Sequence, residues 1–289
     1  MMKKTTDGTN LAPSIIRPPS AKDRSVWQRL SALPSGVLST SLFALLIAAW
    51  EAGVRLGNVS ILLVPAPSDI WTALVRGIVQ NRYLYHAWVT LQEIVLGFGI
   101  AAVVALALAL LVSQSIVVEK AVLPMVVVIQ TIPKVALAPL LLTWFGFGIE
   151  SKVATTALVA FFPILINAIL GLASADKAHI NMMRSFGATR GQILRKLQVP
   201  NAMPTIFAGL DVGAVLAVIG AVVGEFVGSQ AGLGYLIQTS NSNLDVAAIF
   251  AALVMLSIIG LALHVLVTAV GRRVTYWSES SKRRTVNER

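Results

Sequence analysis

Lys134, Asn167, Asp211 and Glu225 stand inside long apolar stretches of the sequence. A charge at the centre of a membrane helix costs about 2.5–3.5 kcal/mol on insertion scales, so each needs a partner or a wet route beside it. Lys134 lies in TIPKVALAP, between Pro133 and Pro139. Proline lacks an N–H and clashes with the turn before it, so a helix should break near Thr131–Lys134. Non-helical backbone at membrane depth is tolerated only against protein or a water-filled cavity. Gln130, Thr131 and Lys134 are therefore expected to line or gate a pathway; the alternative is a kinked helix whose lysine snorkels or pairs with a carboxylate. Glu225, in IGAVVGEFVG, is expected at an outer gate or docking contact, or in an interhelical ion pair. Asp211 follows Pro204 by about two helical turns and is expected to pair with a basic residue of a cytoplasmic loop. Asn167, after Pro163 in FFPILINA, is expected to hydrogen-bond between helices or to touch a transported solute.

Other chemistries are missing their residues. The chain has no cysteine, which excludes disulfides, thiol catalysis and cysteine-bound zinc. His86, His179 and His264 have no partner at metal-ligand spacing, so no metal site is expected. No serine sits in a nucleophile-elbow pattern. The glycines of GSQAGLGY (Gly228, Gly232, Gly234) match neither a P-loop nor a dinucleotide fingerprint. The residues thus predict a protein that is not an enzyme, carries no cofactor and does not itself bind ATP.

The elements that hold these residues are membrane spans. Of 289 residues 56% are hydrophobic and 12% charged, against about 25% charged in soluble domains. Mean hydropathy is +0.78. Uncharged runs separate Arg29 from Glu51, Glu93 from Glu119, Lys152 from Asp176 and Asp245 from Arg272, each long enough to cross a bilayer. Two more apolar stretches, 121–149 and 197–227, carry Lys134 and the Asp211–Glu225 pair of acids. The sequence predicts an all-α membrane protein with six spans. It divides into a tail 1–35, a transmembrane domain 36–272 with a loop 173–201, and a basic tail 273–289. The first span is expected to stay in place rather than be cleaved as a signal peptide, since no small-residue cleavage site follows Trp50.

The net charge of +10 has a location. Eighteen of the 23 basic residues fall in the N-terminal tail, at Lys120, in the loop 173–201 and in the C-terminal tail, all on one side of a six-span chain. This positive-inside bias places both termini in the cytoplasm of a cell (inner) membrane and accounts for the charge without nucleic acid. Within span five, Gly220, Gly224 and Gly228 recur every four residues, with Gly209, Gly213 and Ala217 one face away. Such spacing lets backbones approach closely, so span five is expected to be the most buried. Between spans one and two, Ser68 reads as an N-cap with Asp69 behind it. Ile70, Trp71, Leu74, Val75, Ile78 and Val79 follow as one apolar helix face, lying on the membrane or packed in the protein. In the loop 173–201, Gly187 should separate two short helices, the second capped by Thr189 and ended by Pro200. Two helices around a glycine at the inner face make a docking knob.

This loop resembles the permease subunits of ABC importers, whose signature is EAA, three residues, Gly, nine residues, then I-x-L-P. Gly187 is the glycine, Leu197 takes the Ile place, and Val199-Pro200 takes the Leu-Pro place. Asn181, Met182 and Met183 replace the EAA triplet. Further stretches, PAPSDIWTAL, IPKVALAPLLLTWFGFG, AFFPILINAILGL and GEFVGSQAGLGYLI, are similar to the nitrate, sulfonate and taurine branch. The resemblance covers about residues 60–275. In many members of that branch a basic residue stands where Asp211 stands.

The resemblance implies a type I importer permease that forms a homodimer with the pathway between its copies. It implies cytoplasmic ABC ATPase subunits and an extracytoplasmic substrate-binding protein as partners. Arg184, Ser185, Phe186, Gly187, Ala188 and Thr189 would form the coupling tip, with Pro200 closing the motif. The implied solute is a small anion of the sulfonate, taurine or nitrate class; the alternative is a vitamin precursor such as a pyrimidine or flavin. A stand-alone secondary transporter or channel is the more distant alternative.

Overall fold

A computed structural model describes residues 35–277. The basic residues expected in the N-terminal tail, and Lys282, Arg283, Arg284 and Arg289 of the C-terminal tail, lie outside the described residues. Every described element is helical. Helix α1 (Ser35–Leu56) forms a unit of its own with the residues up to Asn58. It is long and apolar enough to span a membrane.

The second unit starts at Val59. It contains α2 (Pro67–Val79), α3 (Arg82–Val112), α4 (Ile116–Gln130), a 3-10 turn (Lys134–Leu137), α5 (Ala138–Phe145) and α6 (Ile149–Ala173). After these come α7 (Lys177–Ser185), α8 (Arg190–Ile193), α9 (Val199–Gly228), α10 (Leu233–Ser242) and α11 (Val246–Val274). Helices α3, α6, α9 and α11 qualify as spans, and α4 with α5 makes one further span bent by 76°. With α1 this gives the six expected. The bend falls where Pro133 removes a backbone donor, just beyond the end of α4.

Helix α6 lies between α3 and α9 and is the most enclosed span, in place of span five. Two seams of small residues explain this. On α9, Gly209, Gly213, Gly220 and Gly224 face Asn167, Ile164, Thr156 and Lys152 of α6 in turn. A Cβ at Gly220 would come within 2.8 Å of the Thr156 Cα. The glycines expected on two faces thus form one seam, and only Gly228 leaves it, to meet Leu142 and Phe147. On α3, Gly97, Ala101, Ala105 and Ala109 recur every four residues and are buried, with Gly97 against Thr156. The helix pressed from both sides loses most surface.

Two expectations about α2 are corrected. Its N-cap is Ala66, with Pro67 in the first turn, where its missing N–H costs nothing. Ser68 therefore lies inside the helix, and Asp69 reaches back to accept from the Ala66 N–H at 3.3 Å. The apolar residues also occupy two faces. Ile70 and Leu74 pack beside Tyr83, Leu233 and Leu236, while Trp71, Val75 and Val79 are exposed.

Candidate functional site

The functional residues collect at the two ends of the bundle formed by α3, α6 and α9. One end holds the loop between α6 and α9. Asp176 caps α7 by accepting from the Ala178 N–H at 2.8 Å. Gly187 ends that helix in the left-handed region, with φ +79°, and its N–H reaches the Arg184 carbonyl at 2.9 Å while Ala188 N–H reaches Met183 at 3.0 Å. A non-glycine residue there would be strained. Thr189 and Gln192 then form a reciprocal capping box at the start of α8. Arg184–Thr189 is thus a tight tip between two capped helices, and Phe186 at its centre is 84% exposed.

The second helix does not end at Pro200. It continues through a π turn (Leu194–Gln198) directly into α9, so Pro200 stands at the start of the span. The wider turn absorbs the hydrogen bond that proline cannot donate. Gln198 Nε2 donates to the Leu172 carbonyl at 3.3 Å, and Asn201 Nδ2 to Ser174 Oγ at 3.0 Å. Both bonds tie the start of α9 to the C-terminal end of α6.

The other end holds a buried polar layer around Glu225. Glu225 is fully buried. Its Oε1 accepts from the Thr90 hydroxyl at 2.6 Å, and its Oε2 accepts from the backbone N–H groups of Gly234 and Tyr235. It thereby caps the N-terminus of α10, where unpaired N–H groups and the helix dipole favour a carboxylate. Thr90 Oγ1 in turn accepts from the Leu233 N–H at 2.8 Å, and His86 Nδ1 from the Gly232 N–H at 2.9 Å. Lys152, 1% exposed, donates to the carbonyls of Phe147 at 2.7 Å and Gly228 at 2.6 Å. Glu93, 2% exposed, shares the layer, and its Oε2 has no hydrogen-bond partner among the described residues. Four consecutive N–H groups of GSQAGLGY are bound in this way. Gly232 has φ +113°, and a Cβ there would strike the Glu225 carboxyl group.

The remaining polar residues fall elsewhere. Lys134 Nζ donates to the Gln130 carbonyl at 2.8 Å, capping the broken end of α4, and lies 4.9 Å from the centre of the Phe162 ring. Thr131 Oγ1 donates to the Val128 carbonyl, and Gln130 and Thr131 are exposed. Asn167 bonds within its own helix, Nδ2 to the Pro163 carbonyl at 2.8 Å, because Gly209 of α9 leaves no acceptor side chain opposite. Asp211 does not reach the loop. It meets His264 Nδ1 of α11 at 2.5 Å, since α9 and α11 pack antiparallel with these two residues at one level. The roles of Lys152 and His86 were missed because each meets a backbone group far away in sequence, Gly228 and Gly232, and that of Glu93 because only the fold buries it beside them. The one available signal was their position in apolar helices. No group of three or more metal-binding side chains occurs among the described residues.

Comparison with known proteins gives a consistent set of likenesses. Residues 94–276 match the family described as binding-protein-dependent transport system inner membrane component. The formylaminopyrimidine transport permease protein of Halalkalibacterium halodurans is 37% identical over 77% of this chain and 88% of its own length. The riboflavin transport system permease protein of Chloroflexus aurantiacus is 36% identical over 96% of this chain and all of its own. The taurine transport system permease protein of Escherichia coli K12 is 27% identical over 83% and 89%. A solved structure of the MetNI methionine ABC transporter in an inward-facing conformation superposes with a TM-score of 0.58 at 21% identity. It covers 66% of this chain and 94% of that one.

Proposed function

The chain belongs to the family of binding-protein-dependent transport system inner membrane components, and from that premise we propose how it works. It is a non-catalytic ABC importer permease of the type I fold, and such permeases pair with an ATPase and a substrate-binding protein. The tip Arg184–Thr189 is the coupling element that enters the ATPase, and Pro200 lies where its motion passes into α9. The observation that carries this is the exposed Phe186 on a doubly capped turn welded to two spans. An exposed aromatic on a rigid tip is an anchor for a partner's pocket.

In this reading the tip faces the cytoplasm, as the basic residues Arg184, Arg190, Arg195 and Lys196 around it favour. The Glu225 layer then lies at the outer end, where it holds the loop before α10 in place for the binding protein. Two copies form the pathway, and the bend at Gln130, Thr131 and Lys134 gates it. ATP binding closes the ATPases, the tips follow, and the copies rock between two states.

The solute is a small polar compound. The sulfonate and taurine class remains one reading. The vitamin-precursor class is favoured by the two relatives at 36% and 37% identity, whose names specify riboflavin and formylaminopyrimidine. The test is native mass spectrometry of the tagged chain, purified in mild detergent. Two copies with two ATPase subunits are expected. A lone chain or homodimer, still without ATPase after gentle cross-linking, would leave a self-sufficient transporter or channel.

A further inference from the structure

We infer that Asp211 and His264 form a water-facing polar station in the wall of the translocation route, one that takes uncharged hydrogen-bonding solutes and disfavours anions. This rests on the importer reading above, and goes beyond it in assigning a site and a charge rule. The pair lies deep in the membrane. At 1.5 Å per residue, Asp211 is about 18 Å from the start of α9 and His264 about 15 Å from the end of α11. With a hydrocarbon core about 30 Å thick, both sit well inside the bilayer.

The pair is also open. Side-chain exposure is 33% for Asp211 and 43% for His264. It borders a face of α9 left uncovered by the rest of its unit, where Val212, Val215 and Ile219 are each about half exposed. An ion pair serving only to tie two helices would be enclosed, as Glu225 and Lys152 are. Against lipid tails the second oxygen of this open carboxyl group would have nothing to accept from, at the depth where that is most costly. Water on that face removes the difficulty, and in an importer the water-filled space at this depth is the route.

The chemistry of the pair sets what it can hold. Asp211 keeps a carboxylate oxygen free to accept from a solute N–H or O–H, and the Nε2 of His264 can donate or accept. The pair brings acceptor oxygens to this face and no permanent cation such as a lysine or arginine. An anion therefore gains nothing here, whereas a heterocycle with N–H donors and ring acceptors matches it.

The absence of cysteine in the chain permits a direct test. Val215 stands one turn from Asp211 on the open face and is 49% exposed. In Val215→Cys, assembled with its ATPase in membrane vesicles, modification by a cationic and an anionic methanethiosulfonate reagent is followed by mass, each rate normalised to a free thiol. The cationic reagent is expected to react at least about threefold faster, and the ratio to fall toward one in Val215→Cys/Asp211→Asn. No reaction with either reagent in any nucleotide state, while an exposed Val79→Cys control reacts, would overturn the station. So would a ratio indifferent to Asp211. Binding-protein-stimulated ATPase activity of the unmodified chain reports separately on the importer reading, so either can fail alone. Should Asp211→Asn fail to fold, the rate ratio in Val215→Cys with the pair intact still decides, and a ratio at or below one refutes the proposal.

Discussion

At the scale of single residues, burial decides roles that residue type leaves open. Glu225 and Asp211 are both acids in α9, yet one is fully enclosed and the other a third exposed. The enclosed one spends its oxygens on a hydroxyl and two backbone N–H groups, and so works as a helix cap. Gly232 exists to let that cap close. Its φ of +113° lies where only glycine rests comfortably, and a side chain would also collide with the carboxyl group. Gly232→Ala is expected to destabilise the purified protein by at least about 2 kcal/mol. The loss would be read as a lower unfolding temperature in detergent. An unchanged midpoint would mean that the loop before α10 is not held by Glu225. The carboxyl group that fills the space cannot swing aside cheaply, because Thr90 and the N–H groups of Gly234 and Tyr235 already hold it.

At the scale of elements, the π turn joining α8 to α9 matters most. It runs the helix after the tip Arg184–Thr189 into span five without a break, where the sequence predicts a helix end at Pro200. Gly187→Arg places a β-carbon and a charge at the left-handed residue of the tip, φ +79°, with no neighbour within 4 Å to force it out. Strain of about 1–2 kcal/mol is small enough for the chain to reach the membrane. ATP-driven uptake is expected to be lost while the chain stays in the membrane at normal levels, measured by uptake and by membrane immunoblot. Normal uptake would remove the tip from the coupling path. Helix α2 teaches a related lesson: its two apolar faces serve the core and the exterior separately, so amphipathic spacing alone does not say which face is covered.

At the scale of the whole molecule, the buried Glu225 layer and the tip Arg184–Thr189 occupy opposite ends of the three-helix core of α3, α6 and α9. Alternating access needs such a body, stiff along its length and able to tilt as one. Two small-residue seams, on α9 and α3, press α6 from both sides. The orientation of this body is testable in the same cysteine-free chain. In cells that lack the ATPase subunits, Ser185→Cys is expected to react with an impermeant maleimide only in inside-out vesicles, and Val79→Cys, on the exposed face of α2, only in whole cells or spheroplasts. The reverse pattern would invert the proposed topology and with it the docking side.

The six spans, the break before Lys134, the two short helices around Gly187 and the family itself were legible in the sequence. Each depends on local order: uncharged length, proline placement and motif spacing are properties of neighbouring residues. Charge asymmetry between loops was legible for the same reason. What only the tertiary structure decided are the pairings. Asp211 finds His264, 53 residues away, and Glu225 finds Thr90, 135 residues away. Lys152 is satisfied by the carbonyl of Gly228 rather than by any side chain the sequence could nominate. In an apolar bundle every buried polar group must be matched, but the match is chosen by which helix faces lie together. That choice is made by the glycine and alanine seams on α9 and α3. Their spacing is visible in the sequence, and their partner, α6, is visible only in the fold.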